Sequence, residues 1–226
     1  MRLPPGIAGN SLKVTLKISE IFFSLQGEAS RVGQPTVFVR LAGCPLRCQW
    51  CDTDYAFTDG QRMTIADILA AVSAHPARQV CVTGGEPLAQ EACLSLLTIL
   101  CDAGYDVSLE TSGALPIERT DPRVSRIMDL KAPSSGEERK NLWDNLACLT
   151  GRDEIKIVIA DRADYEWTRA LLAAHPSLGR HCPLWLSPAH ERQDARELAE
   201  WILADGLPVR LQIQLHKILW ANMRGK

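Results

Sequence analysis

Seven apolar runs recur along this chain: TVFVRLA (36–42), RQVCVT (78–83), YDVSLE (105–110), SRIMDL (125–130), EIKIVIA (154–160), PLWLS (183–187) and PVRLQIQL (208–215). Strands that are apolar on both faces must be covered on both faces, which parallel sheets achieve by packing helices against them. Amphipathic helices are predicted between several of the runs. In TIADILAAVSAH (64–75), Thr64 and Asp67 have the spacing of an N-cap and its third helical residue, and Ile65, Ile68, Leu69 and Val72 form one stripe. LAQEACLSLLTILCDAG (88–104), ended by Gly104, ADYEWTRALLAAH (163–175) and ERQDARELAEWILADG (191–206) read the same way.

This alternation predicts an α/β fold, a partial (β/α)6 TIM-like barrel with its active face at the C-terminal strand ends. KVTLKISEIFFS (13–24) alternates apolar and polar residues, which predicts an extra N-terminal strand beside the barrel. PSSGEERKN (133–141) is the most polar stretch and reads as an exposed loop before a helix. With no repeat or linker, residues 1–226 are expected to form one domain. It divides into an N-terminal extension (1–35), a barrel core (36–215) and a C-terminal tail (216–226).

The formal charge is only -2, from 25 basic and 27 acidic side chains, which argues against a general electrostatic hold on nucleic acid or an anionic membrane. No stretch approaches the roughly 20 apolar residues of a spanning helix, and MRLPPGIAGNSLKV lacks the apolar core of a secretory signal. A cytoplasmic, reducing setting is therefore expected. There the eight cysteines are more apt to bind metal or pack than to form disulfides. Cys81, Cys93, Cys101, Cys148 and Cys182 stand among apolar neighbours and read as buried structural thiols.

The other three, Cys44, Cys48 and Cys51, form C-x3-C-x2-C in GCPLRCQWCDTDYAF, directly after the first core strand. Structural zinc takes four closed ligands, commonly two separated C-x2-C pairs, and no second pair is present. A 4Fe-4S cluster held by three thiolates keeps one iron open to a small molecule. Gly43 and Pro45 favour a tight turn, and Trp50 and Tyr55 are candidates to shield such a cluster. VTGGEP (82–87) ends the second core strand; its glycines admit a ligand close to the backbone and Glu86 supplies charge. LETSG (109–113), IMDLKAP (127–133) and LSPAH (186–190) end later strands in the same way. Arg40 shares a strand face with Phe38 and Ala42, and an arginine buried there needs an anionic partner; a substrate carboxylate is a candidate.

The three-cysteine pattern with an aromatic before its third thiol, joined to Gly-Gly-Glu-Pro, resembles the radical S-adenosylmethionine superfamily. That resemblance implies a 4Fe-4S cluster on Cys44, Cys48 and Cys51. S-adenosylmethionine would chelate the open iron and be held by Gly85, Glu86, Ser112, Asp129, Leu130, Lys131, Ser187, Pro188, Ala189 and His190. More narrowly, LQGE (25–28), VFVRLAGCPLRCQWCDT, TGGEP, ETSG and QLHK (214–217) resemble the 7-carboxy-7-deazaguanine synthases over nearly the whole chain. Such an enzyme is a lyase that turns 6-carboxy-5,6,7,8-tetrahydropterin into 7-carboxy-7-deazaguanine and ammonia, on the route to queuosine. The implied course is hydrogen abstraction at carbon 6, Mg2+-assisted ring contraction, return of the hydrogen and loss of ammonia.

The resemblance assigns substrate binding to Leu25, Gln26, Gly27, Glu28, Arg40 and Thr83, and Mg2+ to Thr53. It implies no catalytic side chain, a flavodoxin or ferredoxin-type reductant, and a homodimer. Three departures stand out: Ala29 where glycine is common, Asp129-Leu130-Lys131 where Ser-Pro-Lys is common, and a WANMRGK end that argues against a substrate contact from the C-terminus. The nearest enzymatic alternative is an activase of a glycyl-radical enzyme, whose kind continues Cys-His-Asn where this chain has Cys51-Asp52-Thr53. A zinc-binding interaction module is the alternative of another class.

Overall fold

The computed structural model describes residues 10–221 and 223–226; the first nine residues, which begin the expected N-terminal extension, lie outside the described residues. The strands are β1 (Thr15–Leu25), β2 (Pro35–Leu41), β3 (Gln61–Thr64), β4 (Gln79–Gly84) and β5 (Asp106–Thr111). They continue with β6 (Ser125–Leu130), β7 (Glu154–Ile159), β8 (Leu184–Pro188) and β9 (Arg210–Leu211). All nine join one sheet in the order β3-β1-β2-β4-β5-β6-β7-β8-β9. From β2 to β9 every pairing is parallel, whereas β1 lies antiparallel between β2 and β3. The sheet has free edges at β3 and β9, so it curls as an open, partial barrel.

The helices are α1 (Ile65–Ser73), α2 (Ala92–Asp102), α3 (Arg162–Ala174), α4 (Ala195–Asp205) and α5 (Leu215–Trp220). Thr64 caps α1 by accepting from the Asp67 N–H, and the Asp67 side chain accepts from the Thr64 N–H in return, the reciprocal pair that the spacing predicts. Asp161 and Asp194 cap α3 and α4 in the same sense, and Gly206, at φ 57°, ends α4 in the left-handed region.

Strand alternation divides the sheet into an apolar outer face and a polar inner one. Outward, Val37, Val39, Val80, Val82 and Leu109 pack under Ile65, Ile68, Leu96 and Leu100 of α1 and α2. Further round, Leu130, Ile155, Ile157 and Leu186 pack under Tyr165, Leu198 and Ile202 of α3 and α4. Full burial stabilises each large aliphatic side chain by about 1.5–3 kcal/mol, so these two clusters hold the curl. Inward stand Arg40 opposite Thr83 and Asp129 opposite Lys156, a row of charge that marks this face as something other than packed core.

Three expectations need correction. The run 208–215 forms a strand only at Arg210–Leu211, because the chain then turns away to bond the segment after β1: the Leu215 N–H donates to the Gly27 carbonyl at 3.0 Å. Residues 133–141 are not a free loop before a helix but short 3-10 turns with Ser135 fully buried, fastened by the Ser134 N–H donating to Asp164 at 2.9 Å. Cys101 and Cys148 are half-buried, whereas Cys81, Cys93 and Cys182 are buried.

Candidate active site

The inner face of the sheet encloses a cavity of about 250 Å³ at the C-terminal ends of the parallel strands. Cys44, Cys48 and Cys51 line it, on the loop that leaves β2. The loop is fixed from both sides: the Gly43 N–H donates to the Ala56 carbonyl at 2.8 Å and the Gln49 N–H to the Ser135 carbonyl at 3.1 Å. The Arg47 N–H donates to Glu137 at 2.5 Å, so the polar 133–141 segment serves as the outer wall of the cysteine loop. Trp50 lines the cavity under the Arg192 guanidinium, whereas Tyr55 faces away and donates its hydroxyl to Glu20 at 2.8 Å.

The Gly-Gly turn after β4 explains why two motifs separated in sequence act together. A Cβ on Gly85 would stand 2.3 Å from the Gly43 carbonyl oxygen and 2.8 Å from the Cys44 Cβ, so only glycine lets the two loops meet. The Glu86 N–H then donates to the Gly43 carbonyl at 2.8 Å. Glu86 itself is 0% exposed and outside the cavity lining. Its carboxylate accepts from Ser112 N–H at 2.7 Å, Ser112 Oγ at 2.5 Å, Thr111 Oγ1 at 2.9 Å and Leu88 N–H at 2.9 Å. Glu86 therefore braces the strand ends rather than presenting charge to a ligand. Leu130 likewise turns outward into the core.

The remaining residues singled out in the sequence line the one cavity: Leu25, Gln26, Gly27, Glu28, Arg40, Thr53, Thr83, Gly85, Ser112, Asp129, Lys131 and Ser187–His190. Arg40 differs from expectation in one respect, since its buried charge already has a protein partner: its Nε donates to Glu20 at 2.7 Å, across the β1–β2 register. Burial disfavours the guanidinium, and Tyr55 and Glu20 more than offset that, so it is held charged. The Thr83 hydroxyl donates to Glu110 at 2.9 Å, and Gln26 Nε2 reaches the same carboxylate at 3.3 Å.

Glu110, Lys156, Gln214 and His216 also line the cavity; the sequence motifs LETSG and QLHK contain all but Lys156, yet none of the four was assigned a role. Lys156 stood legible as a lone cation on an inward position of an apolar strand, the same signal that marked Arg40. Lys156 Nζ lies 2.6 Å from Glu28 and 3.8 Å from Asp129, and Lys131 Nζ lies 2.9 Å from Asp129. Burial works against the Lys156 ammonium, but Glu28, Asp129 and Glu110 raise it above the usual lysine range. Glu28 is pushed up by burial and brought below the ordinary carboxylate range by Lys156 and Gln214. Burial keeps His216 below the usual imidazole range, so it is neutral at pH 7. Lys226 also lines the cavity, which overturns the expectation that the WANMRGK extension keeps the chain's end away from it.

Among the described residues no three His, Cys, Asp or Glu side chains converge as tightly as a bound metal ion requires; the thiols share a wall of the cavity, with no fourth ligand beside them. Burial raises all three thiols above the usual range while Lys131 pulls each back down. Three soft donors beside a buried cation suit an anionic iron–sulfur cluster with one open site better than closed four-coordinate zinc. Thr53 offers an oxygen on the same wall and donates to Asp52 at 2.9 Å, a hard-donor corner suited to a hydrated Mg2+.

Comparison with known proteins agrees with this geometry. The family model of the Radical SAM superfamily matches residues 38–129, which carry both loops. A 7-carboxy-7-deazaguanine synthase of Chlorobaculum tepidum is 49% identical over 93% of this chain and 96% of that protein. The chain belongs to the 7-carboxy-7-deazaguanine synthase family. Another member of the family, from Koribacter versatilis, is 43% identical over 91% of this chain and 97% of its own. The crystal structure of QueE from Escherichia coli superposes with a TM-score of 0.73 at 29% identity, covering 89% of this chain and 95% of that one. A radical SAM methyltransferase from Sphaerobacter thermophilus, at 18% identity and TM-score 0.60, covers 85% of this chain and 71% of that one, and shares the fold.

Proposed function

We propose that this chain converts 6-carboxy-5,6,7,8-tetrahydropterin to 7-carboxy-7-deazaguanine and ammonia, as a radical S-adenosylmethionine lyase in queuosine biosynthesis. The observation that carries the reading is convergence: the thiol loop, the Gly-Gly turn and the Gln26–Glu28 segment, each typical of the family, meet on one cavity. All nine strands belong to a single sheet, which supports reading the chain as one domain.

Cys44, Cys48 and Cys51 would hold the cluster. Gly85, Ser112, Asp129, Lys131 and the 187–190 segment would hold S-adenosylmethionine, whose methionyl charges match the Asp129 and Lys131 pair. When bound, cluster and cofactor supply a radical on reduction; the protein's own part is to position, desolvate and hold charge. Arg40, fixed by Glu20, and the Lys156–Glu28 pair set a cationic and an anionic group along the cavity, fit to orient a substrate that carries one carboxylate and several N–H donors. Beside Thr83, Glu110 offers acceptor oxygens and Gln26 a donor amide. The neutral His216 packs within 2.1 Å of where a Gly27 Cβ would stand, so Gly27 lets the segment approach that ring. Thr53 would give its hydroxyl to Mg2+, with Asp52 held ionised by Lys217 behind it.

The finer reading adds a flavodoxin or ferredoxin-type reductant, a homodimer and a reducing cytoplasm, which keeps the eight free thiols reduced. Among the described residues no helix is long and apolar enough to cross a membrane. The test is anaerobic reconstitution with iron and sulfide, followed by reduction with S-adenosylmethionine and the carboxypterin. A product with the mass of 7-carboxy-7-deazaguanine is expected. Cleavage of the cofactor with no deazapurine would overturn the assignment and favour an activase.

A further inference from the structure

Outside the cavity lining, β7 opens with a buried carboxylate that meets the segment between β1 and β2. Glu154, at the start of β7, is 5% exposed and forms no ion pair among the described residues. It accepts instead from neutral donors: Ser30 Oγ at 2.9 Å, Ser30 N–H at 3.1 Å and Trp185 Nε1 at 2.5 Å. A buried charge satisfied only by neutral donors is costly to keep, so its partners merit attention.

Ser30 belongs to the connection between β1 and β2, residues 26–34, which reaches across to β7. Lys156, two residues beyond Glu154 on the same strand face, bonds Glu28 at 2.6 Å, two residues before Ser30. The pairs match in spacing, so β7 grips the segment at two points, Glu154 on Ser30 and Lys156 on Glu28. Between them Ala29 takes φ 59°, a left-handed conformation uncommon for a residue with a Cβ, and donates its N–H to Gln212. That turn sends Glu28 into the cavity and Ser30 out of it toward Glu154. Released from Glu154, the turn loses the hold on its Ser30 side and keeps those of Gln212 on Ala29 and Lys156 on Glu28.

We infer that Glu154 is a positioning residue for the substrate end of the cavity: by holding Ser30 it keeps Gln26 and Glu28 aimed at the bound pterin, although it touches no ligand itself. This rests on reading the cavity as the carboxypterin site. In Glu154→Gln the volume is kept, but one carboxylate oxygen becomes a donor amide that cannot accept from the Ser30 N–H, and the remaining amide oxygen is a weaker acceptor for Ser30 Oγ, Ser30 N–H and Trp185 Nε1, which all bond one carboxylate oxygen in the native chain.

The experiment uses the anaerobically purified enzyme with its cluster. Glu154→Gln should raise KM for the carboxypterin about tenfold, leave KM for S-adenosylmethionine and iron content within about twofold, and recover partly in Glu154→Asp. Ser30→Ala, at an exposed position, should shift the same constant in the same direction but less. Amide hydrogen exchange should quicken at residues 26–33 in both variants and stay unchanged in β2 and β4. Unchanged exchange at 26–33, faster exchange throughout the chain, or an equal rise in both KM values would each overturn the proposal. If the wild-type enzyme makes no deazapurine, the functional reading falls, and the exchange comparison alone then decides whether the clasp exists.

Discussion

Gly85→Ala isolates the contact on which the two motifs depend. Its Cβ would stand 2.3 Å from the Gly43 carbonyl oxygen and 2.8 Å from the Cys44 Cβ, where ordinary contact begins at 3.4 Å. Both obstacles are backbone-anchored, so relief requires the cysteine loop to move by roughly 1 Å, well beyond the ~0.5 Å that a preorganised site tolerates. Overpacking of this kind costs about 1–3 kcal/mol, which for a chain of this size lowers Tm by about 3–10 °C. The expected result is a folded protein with a lowered Tm and less than about half the wild-type iron and sulfide after reconstitution. Gly104→Ala is the control: Gly104 has φ +85° but no atom within 4 Å of a Cβ, so it should lose stability with full cluster content. Wild-type cluster content in Gly85→Ala would refute the reasoning.

Three further outcomes are expected. Thr53→Ala should weaken Mg2+ activation while iron content stays at the wild-type level; equal activity with and without Mg2+ in both proteins would remove that role. Asp153→Asn breaks the buried pair in which Arg126 Nε and Nη2 meet the carboxylate at 2.9 and 2.6 Å, and should cost roughly 3–5 kcal/mol, read as a Tm drop on the order of 10 °C. Glu28, Asp52 and Asp153 all have folded-state pKa values below 4.5, 3.8 and 3.8, so their stabilisation is complete above those values and lost as pH falls through the lower folded ones. Tm should therefore be flat near neutrality and fall below about pH 4, and a chain equally stable at pH 3 would contradict it.

The parallel strands were legible because burial on both faces leaves continuous apolar runs, and the caps of α1 because Thr64 and Asp67 carry their geometry in their spacing. β3 and α5, at four and six residues, are too short for periodicity to mark. The 208–215 run kept its alternation, but Ile213 is 47% exposed, and only the pull of Gly27 on Leu215 explains why the strand stops. In the site, the thiol loop and the Gly-Gly turn announced themselves. Glu86 was misread because sequence shows a charge and not its burial. Glu20 as the partner of Arg40 follows only from antiparallel register across 20 positions.

The central claim is that one cavity rebuilds a carboxypterin into a deazapurine with a cofactor that is returned. The most direct measurement quantifies deazapurine, ammonia and intact S-adenosylmethionine together over many turnovers under anaerobic reduction. The account predicts deazapurine and ammonia formed in equal amounts while S-adenosylmethionine persists. Stoichiometric loss of S-adenosylmethionine without ammonia would contradict it.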